Sequence, residues 1–276
     1  MNKRKIYLFF GYLVLILIAF SMLFPFVAML NIALSNENEI FNSMDKFFHS
    51  NITFDNFLHV FKEIPITRYF YNSLLVALVT TVGQVVISAL AGYSFARLNF
   101  KYKEILFLII LITMMVPPQV NIVPLFFLMR ELHLVNTFSA LILPGLFGGF
   151  GVFFMRQYFL SLPKDLEDAA RIDGCNLFQT FFKVALPLAL PAVVTLFVFT
   201  FVMTWNSFIW PLIVTNTESM RTLPVGLAIY KGSFREITMW GDLMACSVVC
   251  IIPVIVIFLL GKRYFLSDLL SGSVKE

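Results

Sequence analysis

Six apolar runs, each about as long as a bilayer is thick, constrain this chain more than any other feature. They fall at about 7–31, 69–96, 104–128, 138–158, 187–214 and 239–261. A hydrocarbon core of roughly 30 Å needs about 20 apolar residues per helix. Lipid offers no partner to a bare backbone N–H or C=O, so each run is driven into helix. The expected class is an all-α membrane protein with six transmembrane helices. Charge content agrees: 13% of residues are charged, against about 25% in soluble domains, too few to clothe a water-facing surface.

The first run is preceded by Lys3-Arg4-Lys5 and extends from about Ile6 to Leu30. It is longer than the roughly 7–15 apolar residues of a signal peptide, and no small-x-small cleavage site follows cleanly. An uncleaved first helix is expected. With the N-terminus inside, thirteen of the 20 basic residues fall in inner segments, among them Arg97, Lys101, Lys103, Arg156, Lys164, Arg171 and Lys183. Outer loops hold the other seven, including Lys62, Arg130, Arg221 and Lys231. Basic residues favour the cytoplasmic side, so both termini are expected to be cytoplasmic. The expected organisation is an N-terminal tip and first helix at 1–31, an extracytoplasmic loop at 32–68, a five-helix transmembrane core at 69–262, and a cytoplasmic tail at 263–276. A cytoplasmic loop at about 159–186 lies within the core.

Several chemistries are disfavoured. The net charge of +4 comes from scattered residues rather than a patch, which argues against nucleic acid. Cys175, Cys246 and Cys250 build no disulfide framework. His49, His59 and His133 lie far apart with no bracketing ligand motif, so no metal site is expected. No phosphate loop, His-Glu-x-x-His or Gly-x-Ser-x-Gly is present. Neither catalytic residues nor a cofactor bound by this chain is therefore expected. The runs carry almost no charge at mid-depth, and Asp242 lies near the outer end of the last. Ion-coupled transporters and pumps place ionisable groups at depth, so that reading is weak.

The segment Leu166-Glu167-Asp168-Ala169-Ala170-Arg171-Ile172-Asp173-Gly174-Cys175 is a charged island between two apolar runs. Pro163 suits a first helical turn, Asp165 and Glu167 suit its positive end, and Gly174 suits a left-handed C-cap. A helix of roughly 11 residues, about 16 Å long, is predicted from Pro163 to Asp173. Glu167 and Arg171 form an i, i+4 pair in the favourable order. Leu166, Ala169, Ala170 and Asp173 share a small-side-chained face that invites close approach. Asn176 with Gln179 forms a candidate capping box for a second helix running to Leu186-Pro187, where Pro187 and Pro191 kink the entry to the bilayer. A surface connector lying on the membrane would satisfy the same pattern.

The order Asp168-Ala169-Ala170-x-x-Asp173-Gly174, with Leu186-Pro187 following, resembles the EAA loop of ABC importer permeases. More narrowly it is similar to the smaller permease subunit of the maltose-type carbohydrate systems. Tyr71-Asn72-Ser73-Leu74, Tyr93-Ser94-Phe95-Ala96-Arg97, Val116-Pro117-Pro118-Gln119, Trp205-Asn206-Ser207-Phe208 and Gly272-Ser273-Val274-Lys275 extend the likeness over nearly the whole chain. The departures are Asp168 for the usual Glu, Cys175 for the usual Ala, and Ser267-Asp268 where an acidic-Gly pair is common.

The resemblance implies the type I ABC importer permease fold, in a bacterial or archaeal inner membrane. It implies that Leu166, Glu167, Asp168, Ala169, Ala170, Arg171, Asp173, Gly174, Leu186 and Pro187 couple the chain to separate ATPase subunits. ATP and Mg would reside on those subunits. The further partners implied are a second, different permease, an extracytoplasmic binding protein, and a sugar, more narrowly an oligosaccharide. Val274 and Lys275 become candidate tail contacts with the ATPase. Trp205 and Asn206 are candidates for the substrate path, because an aromatic with an amide suits a sugar; packing with an interhelical hydrogen bond is the more ordinary explanation of the pair. A non-sugar solute such as a polyamine or a glycerol phosphate ester is the alternative cargo.

Overall fold

The computed structural model describes residues 3–36, 52–233 and 239–272, and among these every regular element is helical. Three helices are long and apolar enough to cross a membrane unaided: the stretch Tyr7–Ala33 of the first helix, Ile66–Arg97, and the stretch Trp240–Tyr264 of the last. The other three expected spans are not single helices. Lys103–Met115 and Pro118–Glu131 meet at 92°, Phe138–Gly145 and Gly149–Ser161 at 41°, and Leu177–Leu188 and Leu190–Trp205 at 75°. Six spans result if each bent pair counts as one.

Imino residues mark the first and third of these breaks. Pro117 is extended at φ −58°, ψ 132°, and it forces the residue before it out of the helical region; Val116 is accordingly extended. Pro187 and Pro191 flank the sharp turn at Ala189. By contrast, Pro25 and Pro253 sit inside continuous helices, which membrane helices tolerate better than soluble ones.

The structure divides into two units, residues 1–67 with 226–252 and residues 68–225 with 253–276. In the first unit, residues 7–27 are exposed. An apolar surface of that kind is stable only in lipid or against another apolar chain. Nearby polar groups are satisfied locally: Asn56 Nδ2 donates to the carbonyls of Ala33 at 2.9 Å and Ser35 at 2.8 Å. Asp242, expected simply near a helix end, is buried. Its Oδ2 accepts from the Tyr230 hydroxyl at 2.9 Å and lies 2.7 Å from His59 Nδ1. Burial, followed by this bond to Asp242, pushes the Tyr230 phenol up.

In the second unit, small residues let helices approach closely, as membrane packing requires. A Cβ on Gly92 would lie 2.6 Å from Met155 Cβ and 2.8 Å from the Arg156 backbone nitrogen. Around that approach Ala89, Tyr93, Met155, Phe159, Phe181, Ala185 and Leu196 form one buried cluster. It lies directly behind the charged island.

Candidate functional site

The island folds as a helix over Asp165–Ile172, shorter than the sequence suggests because Lys164 takes the N-cap and Pro163 stays outside. Its C-terminus is a Schellman motif. Gly174 has φ +84°, its N–H donates to Arg171 O at 3.0 Å, and the Cys175 N–H reaches back to Ala170 O at 2.9 Å. The next helix begins as predicted. Gln179 N–H donates to Asn176 Oδ1 and Asn176 N–H to Gln179 Oε1, both at 2.9 Å. After Thr180 the chain makes one π-helical turn, Phe181–Ala185, before Leu186–Leu188 and the bend. That turn widens the helix just where Phe181 and Ala185 enter the buried cluster.

The expected Glu167–Arg171 pair does not form. Glu167 points inward and is 4% exposed, while Arg171 lies 3.7 Å from Asp168 instead. The Glu167 Oε1 atom accepts from Arg97 Nε at 2.7 Å, and Oε2 accepts from the Tyr93 hydroxyl at 3.0 Å. Arg97 Nη2 also donates to the Leu162 carbonyl at 2.8 Å. The ion pair is almost dry, with side-chain exposures of 3% for Arg97 and 5% for Glu167. Arg97 Nη1 is buried without a partner among the described residues. A desolvated pair of this kind adds little net stability, but losing one member commonly costs roughly 3–5 kcal/mol.

The small-side-chained face is also divided. Ala170 is buried beside Glu167, whereas Leu166, Ala169, Ile172 and Asp173 are exposed. Ile172 is 87% exposed, and Phe178 on the following helix 69%. The island therefore has a locked inner face, Glu167 and Ala170, and an outer face of apolar side chains among carboxylates. Leu186 and Pro187 lie at the head of the kinked span; Leu186 packs against the same cluster, and Pro187 is exposed.

Trp205 and Asn206 are adjacent but face differently. Trp205 is 2% exposed, stacked 5.9 Å from Phe201 and edge-on to Phe70 at 5.5 Å. Asn206 is exposed, its Nδ2 donating to Val202 O at 2.9 Å. It lines a cleft of about 670 Å³ with Pro118, Gln119, Ser207, Phe208 and Trp210, and no charged side chain lines it. The break at Pro117-Pro118 thus meets the C-terminal end of the Leu190–Trp205 helix, at Asn206, in one cleft. Gln119 gave no signal in the sequence beyond its place in a Pro-Pro-Gln string. Val274 and Lys275 lie outside the described residues.

The pattern of binding-protein-dependent transport system inner membrane components matches residues 84–269, which includes the island, the three bent helix pairs and the cleft. The chain belongs to this family. The permease is 38% identical over 261 residues to the arabinooligosaccharides transport system permease protein AraQ of Halalkalibacterium halodurans, covering 94% of this chain and 93% of that protein. It is 32% identical to the lactose transport system permease protein LacG of Rhizobium radiobacter, over 96% of this chain and 95% of that one. Its fold matches a subunit of a bacterial ABC transporter involved in import of the acidic polysaccharide alginate. There the TM-score is 0.84 at 23% identity, over 96% of this chain and 98% of that one. The permease is thus a multi-pass, non-catalytic membrane subunit of an ABC transport system with the type I importer fold.

Proposed function

We propose that this permease carries a sugar, and more narrowly an oligosaccharide, through an importer driven by two ATPase subunits that dock on the island helix. The observation that carries the reading is the two-faced island. Its inner face is tied to the membrane domain through Glu167, and its outer face offers Leu166, Ala169 and Ile172 to a partner. Asp168, Arg171 and Asp173 ring that face with charge, and Gly174 ends the helix without a side chain in the way. Closure of the ATPase subunits on ATP and Mg would push the helix and rock the bundle. In this scheme 69–262 is the transport core, 32–68 faces outward towards a binding protein, and both termini are cytoplasmic. A second, different permease completes the pathway, and Val274 and Lys275 remain candidates for a tail contact with the ATPase.

Cargo follows from the cleft. Amide and hydroxyl groups from Gln119, Asn206 and Ser207 among apolar and aromatic walls suit a neutral polyol, and the volume is in the range of ligand sites, about 300–1,000 Å³. A glycerol phosphate ester or a polyamine would leave a charge unmatched in that lining, at a cost that favours neutral cargo. AraQ and LacG, named for an oligosaccharide and a disaccharide, support the same choice.

The test is reconstitution in proteoliposomes. Arabinotriose, lactose or a related oligosaccharide should stimulate ATP hydrolysis only when this chain, a second permease, the ATPase subunits and the binding protein are all present. Hydrolysis by the purified chain alone, or transport of sn-glycerol 3-phosphate but of no sugar, would overturn the reading.

A further inference from the structure

We propose that Arg97, Tyr93 and Glu167 form a rigid joint, so that the island helix and the cytoplasmic end of the Ile66–Arg97 helix move as one body. This rests on the coupling role proposed above and assigns Glu167 a different task within it. Glu167 does not touch the ATPase; it passes displacement from the island to the membrane span.

Three features of the geometry carry this. First, the bonds are directional and close in a ring. Both carboxylate oxygens of Glu167 are engaged, one by Arg97 Nε and one by the Tyr93 hydroxyl, four residues apart on the same helix. A single apolar contact lets two helices slide; a carboxylate gripped at both oxygens does not. Second, Arg97 holds a further element through the Leu162 carbonyl, just past the Gly149–Ser161 helix. The guanidinium fork thus fixes the island, the span and the entry to the island at one point. Third, the pair is dry, so water does not readily replace either partner while the helix is pushed. Behind it Tyr93 packs edge-on against Phe159 at 5.4 Å and against Phe181 at 5.0 Å. The joint therefore leans on aromatic packing at both ends of the island.

A purely structural role would also explain a buried ion pair, so the test must read motion. On a background with Cys175, Cys246 and Cys250 replaced, spin labels are placed at the exposed positions Asp165→Cys and Val86→Cys. The first is on the island helix and the second on the Ile66–Arg97 helix. The assembled transporter is compared nucleotide-free and trapped with MgATP and vanadate. The joint predicts an unchanged label separation in the otherwise native chain. With Glu167→Gln the separation shifts on trapping, while the ATPase subunits still co-purify. The double variant Arg97→Met with Glu167→Leu, which leaves no buried charge unpaired, should fold and show the same shift. A separation that changes in the native chain, or stays fixed in both variants, overturns the joint. Failure of the ATPase subunits to protect the island helix from labelling in the native assembly overturns the coupling reading instead.

Discussion

Arg97 crosses 70 positions of sequence to meet Glu167 at 2.7 Å in a nearly dry site. The neighbour one helical turn away, Arg171, is left to Asp168. An exposed i, i+4 pair is worth a few tenths of a kcal/mol, while a buried, charge-assisted contact is stronger and shorter. The island helix is consequently oriented by its tertiary partner, and its own charges serve the outer face.

Removing one member of that pair should be far worse than removing both. Glu167→Leu alone strands the Arg97 guanidinium and should cost roughly 3–5 kcal/mol, whereas Arg97→Met with Glu167→Leu should recover most of it. Thermal aggregation midpoints of the detergent-purified transporter measure this. Equal losses in the single and double variants would show that the charges are not paired in the membrane.

Gly92 should tolerate no side chain. A methyl there meets Met155 Cβ and the Arg156 backbone, neither of which swings aside, so Gly92→Ala should lower the midpoint and the membrane level by the cost of overpacking, about 1–3 kcal/mol. Gly11→Ala is the control, because a Cβ at Gly11 meets nothing within 4 Å. Identical behaviour of the two variants would refute the close helix approach.

At Gly174 the penalty is conformational. A Cβ there also meets nothing within 4 Å, but φ is +84°, and a left-handed residue with a side chain costs roughly 1–2 kcal/mol. Transport should fall in the order Gly174→Asn, Gly174→Ala, Gly174→Val, with Asn mildest because it enters this region most readily and Val most severe. Membrane level should hold throughout. Full uptake by Gly174→Val would remove the cap from the coupling scheme.

Orientation is open to thiol labelling of intact cells on a cysteine-free background. Lys231→Cys should react with an impermeant maleimide from outside, and Lys164→Cys only after the membrane is opened. Both positions are exposed. External labelling at Lys164 would invert the topology.

Much of this protein is readable because it depends on near neighbours in the chain. The six apolar runs, the left-handed Gly174 and the Asn176–Gln179 capping box each follow from a few adjacent residues and a local hydrogen bond. Sequence also carried the family likeness, through an ordered set of short strings. Spacing alone did not resolve the broken spans. Pro117 and Pro191 announce a break, but a bend of 92° or 75° is set by what each half packs against. Trp205 and Asn206 looked alike as cargo contacts, yet a one-residue step, about 100° round the helix, buries the ring among Phe70 and Phe201 and leaves the amide on the cleft. For Glu167, the sequence offered Arg171 one turn away, and the fold brought Arg97 to it from 70 positions off. Only burial chose between them, since water weakens the pair with Arg171 and its exclusion strengthens the pair with Arg97.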